Sequence, residues 1–426
     1  MTSAHLTFEQ DEKHARRIDK MRSSPVRDLF SAAVRPDIIS LSGGMPDVSL
    51  LPITSIRKAV RAAVESREQA LQYGSTDGRV QTRKVVCDLV RDIGIRCKPD
   101  QVLLTSGAQE ALDLLGKVFI DEGDIIITEG PTYLTALQAF STYEPEVHAI
   151  PFDDEGMRMD LLEAELEKIG KNNPRLKFCY TIPNFQNPGG VTMTQARRKR
   201  LLELSHEYGF IVIEDDPYGR LRYEGGHQIP LKAQDDRVVY LGTISKILAP
   251  GLRTGWIIAP RSIISKVNLV KQGADLCGSS FDQIVVEHYF TETPWQRTLQ
   301  KFVKTYRTRR DAMLAALEEH FPPEATWTHP EGGFFVWVTL PEYMDTGSML
   351  AEALEAGVTY VPGDSFFPGG TQGKNCMRIN FSYETPENIE EAIRRLAGVI
   401  EDRLELYRAF IEAGAIKETA PTRKSE

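Results

Sequence analysis

The chain has 426 residues, of which 41% are hydrophobic and 26% charged, with a formal net charge of −9. That length exceeds one ordinary core and predicts two domains, while the acidic balance gives neither nucleic acid nor an anionic membrane a reason to bind. Five scattered cysteines without a CxxC pair, and eight histidines without metal-ligand spacing, predict no disulfide framework and no metal site, and fit a reducing, cytoplasmic setting.

Residues 1–20 are polar and charged, which excludes a signal peptide or membrane anchor at that point and predicts a mobile segment. Nowhere does an apolar run approach the length needed to span a bilayer. Short apolar stretches at 101–105, 124–128, 176–182, 210–214, 238–243 and 255–259 read as strands. Helical patterns at 108–119, 132–143, 159–169 and 194–208 separate most of them. Strands that are apolar throughout, joined by crossover helices, predict an α/β sheet buried on both faces and mostly parallel, with ligands at the strands' carboxyl ends. After about residue 261 the pattern changes to two long helices (261–275 and 293–320), short strands (334–338 and 376–381) and a last helix opening at Thr385-Pro386-Glu387. The expected organisation is therefore a large domain over 51–320 and a smaller α+β domain over 321–415. Segment 21–50 is expected to pack with the small domain and the active site, and 416–426 to form a polar tail.

The residues with chemical potential lie just after the strands. Lys246 stands between Ser245 and Ile247, following Thr243, and Arg253 comes after a Pro-Gly turn. A fixed cation with two hydroxyls suits a phosphate dianion, and a lysine amine beside it is free to form an imine. Thr105-Ser106-Gly107-Ala108-Gln109 opens a helix, either as an ordinary cap or as an anion site built from free N–H groups. Glu214-Asp215-Asp216-Pro217-Tyr218 ends a strand, where the acids suit a protonated ring nitrogen, a divalent metal or a solvated strand exit. Asn187 sits in a Pro/Gly/Asn turn, and Tyr133 near a helix start. Arg378 lies inside an apolar strand, where it needs either a structural acid or a carboxylate ligand.

Together these segments resemble the fold-type I, class I/II pyridoxal-phosphate aminotransferases, and within them the 2-aminoadipate/kynurenine aminotransferase group, over about residues 22–403. The resemblance implies a mostly parallel seven-stranded sheet covered by helices. It implies that Lys246 takes pyridoxal 5′-phosphate as an imine and then acts as the base. Gly107, Ala108, Gln109, Thr243, Ser245 and Arg253 would hold the phosphate, Tyr133 would stack on the ring, and Asp215 would meet the ring nitrogen. Asn187 and Tyr218 would face the ring 3-oxygen. Arg378 would bind the substrate α-carboxylate, with Asn187 and Gly44 of the Ser42-Gly43-Gly44 loop beside it. Arg27 would contact the side-chain carboxylate of acidic substrates. Tyr73 would reach the phosphate of a neighbouring subunit, which implies a homodimer with shared active sites.

The implied reaction is ping-pong transfer of an amino group from an L-amino acid of the 2-aminoadipate, aromatic or branched-chain type to a 2-oxo acid such as 2-oxoglutarate. Such motifs specify a coenzyme before they specify the bond broken, so β-lyase, decarboxylase, oxidase and regulatory readings stay open. Two positions depart from the family pattern. Ala108 replaces a common serine, and Gly189 replaces a threonine, a change expected to reflect loop flexibility. Burial beside Arg253 should depress the pKa of Lys246.

Overall fold

The computed structural model describes residues 14–15, 17–18, 35 and 37–412. Arg27, most of the expected mobile segment 1–20 and the tail 416–426 lie outside the described residues. In chain order the strands are β1 (Ile39–Ser40), β2 (Val102–Thr105), β3 (Ile125–Gly130), β4 (Glu146–Asp153), β5 (Gly156–Met157), β6 (Leu176–Thr181) and β7 (Ile211–Asp215). They continue with β8 (Val239–Thr243), β9 (Gly255–Ile258), β10 (Thr326–Trp327), β11 (Phe335–Thr339), β12 (Val358–Thr359), β13 (Val361–Pro362) and β14 (Cys376–Asn380).

The large sheet runs in the order β2-β9-β8-β7-β6-β3-β4-β5. Strands β8, β7, β6, β3 and β4 are mutually parallel, and β9 is inserted antiparallel between β2 and β8. It has eight strands where seven were expected, because two residues of β5 fold back on the end of β4 as a small antiparallel addition. Strands β2, β3, β8 and β9 are buried along their whole length, which is why they are mainly apolar; β3 also carries the buried Glu129. β4 was not legible in the sequence. It is mostly half-buried, and Glu146, His148 and Pro151 break up its apolar pattern. The helix Ser280–Glu292, also missed, packs heavily against Ile53–Glu65 and spreads its apolar residues around the barrel rather than along one stripe.

Parallel pairing sends Gly130, Thr181, Asp215 and Thr243 to one edge of the sheet, together with Thr105 and the start of β9. Helix Ala108–Phe119 starts at that edge and buries Ala111, Leu112, Leu114 and Leu115 against the sheet. A second, antiparallel sheet has the order β10-β11-β14-β13. Its apolar face joins Ile389, Ile393, Leu396 and Ile400 of the helix Pro386–Glu412 in a cluster that also contains Leu41, Tyr218 and Phe185. Ile39 of β1 pairs with Val358 of β12, so the stretch after residue 37 is tied to this smaller unit.

Where β9 begins, the backbone is pressed against the turn before the helix Ala108–Phe119. A Cβ on Gly255 would lie 2.7 Å from the carbonyl carbon of Gly107 and 2.9 Å from the nitrogen of Ala108. Backbone cannot yield as a side-chain end can. Gly255→Ala is therefore expected to cost about 1–3 kcal/mol, the usual range for overpacking, measurable as a lowered midpoint in denaturant unfolding. An unchanged midpoint would show that the turn has room to move.

Candidate active site

At the carboxyl edge of the large sheet a cavity of about 690 Å³ opens toward the smaller sheet. It is lined by Gly44, Ala108, Gln109, Tyr133, Asn187, Asp215, Tyr218, Thr243, Ser245, Lys246, Arg253 and Arg378 among others. Of the singled-out residues that are described, all but Tyr73 and Gly107 lie on its wall. Gly107 forms the turn behind Ala108. Tyr73 is 80% exposed and is not part of the cavity's lining.

One end of the cavity is built for an anion. Gly107 caps the helix Ala108–Phe119 with φ of 87°, and no side chain takes up the helix's first N–H groups. A Cβ at Gly107 would lie 2.6 Å from Nη2 of Arg253, so glycine is what lets the guanidinium come this close. Arg253 itself has φ of 42° and is held by carbonyls alone, with Nη2 donating to Ser106 O at 2.8 Å and Nη1 to Pro250 O at 3.2 Å. Among the described residues no acid pairs with it. Thr243 has its hydroxyl engaged within the chain. Its single proton goes to Thr254 O at 3.0 Å while it accepts from Ser245 N at 3.1 Å, so it orients Ser245 rather than offering a free donor. The Ser245 hydroxyl, 2.8 Å from that of Thr243, is then the donor of that pair and would have to turn away from Thr243 to meet a ligand.

The three consecutive acids at the end of β7 face three environments. Glu214 accepts from the backbone N–H groups of Leu231 and Lys232. Asp216 accepts from Asn184, Gly219 N and Tyr240. Asp215 alone lines the cavity. Its Oδ2 accepts from the Tyr180 hydroxyl at 2.8 Å, while its buried Oδ1 has no partner. Burial pushes the Asp215 carboxyl up to about 7, against the pull of the Tyr180 hydrogen bond. A buried acceptor left unmade is costly, so Oδ1 is aimed at a donor the cavity is meant to receive.

At the opposite wall Arg378 is 3% exposed and has no carboxylate partner among the described residues. Nη1 donates to Asn187 Oδ1 at 3.0 Å and Nη2 to Ser42 O at 2.8 Å, while Nε is unsatisfied. The guanidinium stacks 4.1 Å from the Phe335 ring. Desolvation lowers its pKa to about 10. Lys246 stands between these two ends, its Nζ donating to Gly44 O at 2.8 Å. Burial first, then the charges of Arg378 and Arg253, bring its amine down to about 8. Arg378 is the larger of the two charge effects, although Arg253 was the one foreseen.

The loop carrying Asn187 is anchored from beneath by residues the sequence did not single out. Gln186 donates to Glu129 Oε2 and Pro131 O and accepts from Gly189 N. Glu129 also accepts from Thr181 and Ile182 N, and burial raises it to about 7. Gly189 is not a matter of flexibility. A Cβ there would run into the Phe152 ring, so this loop is closely packed and excludes the family's threonine.

These features fit pyridoxal phosphate. They supply an anion cradle, an orphaned carboxylate oxygen for a ring N–H, an amine of depressed pKa and a buried cation without its anion. Residues 36–396 match the family model described as aminotransferase class I and II. The chain is 48% identical over 388 residues to aromatic-amino-acid aminotransferase 1 of Thermococcus litoralis, covering 90% of this chain and 93% of that one. Its structure is similar to that of kynurenine aminotransferase from Pyrococcus horikoshii in complex with PMP (TM-score 0.89, 45% identity, 93% and 99% of the two chains). It is also similar to α-aminoadipate aminotransferase from Thermus thermophilus complexed with N-(5′-phosphopyridoxyl)-L-leucine (TM-score 0.84, 36% identity, 93% and 99%). With cradle, carboxylate, amine and guanidinium around one cavity, and a family match over most of its length, the chain belongs to the class I and II aminotransferases, which depend on pyridoxal phosphate.

Proposed function

We propose that this aminotransferase moves the amino group of an L-amino acid of the 2-aminoadipate, aromatic or branched-chain type to a 2-oxo acid such as 2-oxoglutarate, in two half-reactions at one site. The observation that carries this reading is the buried guanidinium of Arg378, which meets no acid among the described residues and faces the cavity that holds Lys246. Buried arginine is stable only when an anion meets it, and its planar fork matches a carboxylate. The α-carboxylate common to both substrates answers that need. The substrates named for the Thermococcus, Pyrococcus and Thermus relatives support the choice of side chains.

When bound, pyridoxal phosphate supplies the electron sink that makes the substrate Cα–H acidic and carries the amino group between half-reactions. The chain's own residues do the rest. Helix N–H groups at Ala108 and Gln109, Ser245 and Arg253 hold the phosphate, and Thr243 sets the Ser245 rotamer. Asp215 Oδ1 keeps the ring nitrogen protonated. The amide nitrogen of Asn187, whose oxygen is held by Arg378, and the Tyr218 hydroxyl serve the ring 3-oxygen. Tyr133 covers the ring face. Arg378 orients the substrate so that Lys246 Nζ reaches the Cα proton, and an amine titrating near 8 is a competent base at neutral pH. Arg27 would receive the second carboxylate of an acidic substrate.

Two further parts of the reading concern assembly and place. Tyr73 and Leu71 project from the surface at 80% and 78% exposure, which supports a homodimer in which each Tyr73 completes the neighbour's phosphate site. The five cysteines are free thiols, in keeping with a cytoplasmic site of action. No helix among the described residues is long and apolar enough to cross a membrane.

Lys246→Ala is expected to abolish amino transfer and borohydride trapping of the coenzyme, with the fold retained by circular dichroism. Retained turnover would remove Lys246 from its role. Acylation of Lys246 in coenzyme-free protein, followed by mass spectrometry, should rise as pH passes about 8, where the free amine appears. In Arg378→Met the midpoint should move upward toward the ordinary lysine value, because a like charge that disfavours the ammonium is gone. An unmoved midpoint would show that the two cations do not interact. Finally, mixing Lys246→Ala with Tyr73→Ala subunits should recover activity beyond the sum of the two variants, since hybrid dimers hold one intact site. No recovery would count against shared sites.

A further inference from the structure

Asp215 and Tyr180 meet because of strand register. Tyr180 on β6 pairs with Ile213 on β7, and Asp215, two residues on, projects from the same face of the sheet. The Tyr180 ring is fully buried and packed edge-on against Phe140 at 5.6 Å. Its hydroxyl donates to Asp215 Oδ2 at 2.8 Å, and no cation neutralises Asp215 among the described residues. Resting on the assignment of Asp215 to the coenzyme ring nitrogen, we infer that Tyr180 is a positioning residue that fixes which Asp215 oxygen faces the ring and holds the shared proton on the nitrogen rather than on the carboxylate.

A proton between a carboxylate and a pyridine nitrogen has two places to sit. In a low-dielectric interior with no cation nearby, the neutral pair, carboxylic acid with bare nitrogen, competes well with the ion pair. The ion pair is the useful arrangement, because only a protonated ring draws electrons strongly from the substrate carbon. A phenol donating to Oδ2 stabilises the carboxylate and weakens it as a base, so the proton stays on the ring. Burial acts on Asp215 in the opposite sense and raises its pKa to about 7, with Tyr180 opposing it. The donation also occupies Oδ2, so the ring meets Oδ1, the oxygen left unpartnered. Neither effect requires Tyr180 to touch coenzyme or substrate. Glu214 accepts from two backbone N–H groups and Asp216 from Asn184, Gly219 N and Tyr240, whereas among the described residues Tyr180 is the one donor that Asp215 has.

The test uses holoenzyme loaded with pyridoxal phosphate labelled with ¹⁵N in the ring. In Tyr180→Phe the ring nitrogen resonance should move toward its unprotonated position, and kcat should fall roughly 10-fold or more, the usual effect of losing a hydrogen bond to a charged group. KM should change little, because Arg378 is untouched. Replacing Tyr180 by 3-fluorotyrosine, a stronger donor of nearly the same size, should keep the resonance at or beyond its protonated position with kcat near that of the parent. This arm serves if the phenylalanine variant fails to fold. Asp215→Asn separates the two readings. If it moves the resonance and Tyr180→Phe does not, Asp215 meets the ring but Tyr180 does not govern it, and the inference falls. If neither substitution moves the resonance, the assignment of Asp215 itself is wrong.

Discussion

Arg378 carries its charge into the interior, and none of the described acids comes to meet it. It is held by three carbonyl-type oxygens and two aromatic faces, which soften its desolvation without cancelling its charge. Such an arrangement leaves the protein incomplete until an anion arrives, and the fold is arranged around that need. Asp215 is its counterpart, an acid whose free oxygen waits for a donor. The two unpaired charges face one cavity, with Lys246 between them, so a ligand acidic at one point and cationic at another restores balance at both.

The balance is not local to one element. Arg378 belongs to β14 of the small sheet, Asn187 to a loop beyond β6 of the large one, and Ser42 and Gly43 to the stretch entering from β1. A single guanidinium therefore ties three parts of the chain, and all three position it for the carboxylate it is proposed to receive. The same interdependence holds at the phosphate end. There Gly107 and Gly255 let the Ala108–Phe119 helix start, Arg253 and β9 lie closer than any side chain would permit. Closeness of backbone, more than the number of donors, is what would suit that corner to the phosphate it is proposed to hold.

Most of the parallel sheet was legible because burial on both faces writes itself as a mainly apolar run, as in β2, β8 and the first half of β3. β4 escaped because a half-buried strand near the edge keeps polar residues. The helix Ser280–Glu292 escaped because its apolar residues do not form one stripe. Within the site, Lys246, Asp215, Arg253 and Arg378 were visible, since their chemistry is carried by residue type and by position after a strand. Tyr180 and Gln186 were not. Each acts through a partner distant in sequence, Asp215 in one case and Glu129 in the other. The signal for Tyr180 exists only once β6 and β7 are placed in register. The packing reason for Gly189 was equally hidden, because Phe152 reaches it from a different strand.

The same electrostatics bear on which bond the enzyme breaks. Decarboxylation would turn the bound carboxylate into neutral carbon dioxide, leaving Arg378 once more buried and unpaired. Every stabilisation that Arg378 gives the bound substrate is lost along that path, so carboxylate binding raises the barrier to it. Proton removal from Cα keeps the carboxylate charged and in place. On the proposed reading, an amine brought down to about 8 by burial first, and then by Arg378 and Arg253, would be at hand to take that proton. On that reading the residue that would grip the substrate also helps to lower the base's pKa, and both effects would favour exchange of the amino group over loss of the carboxylate.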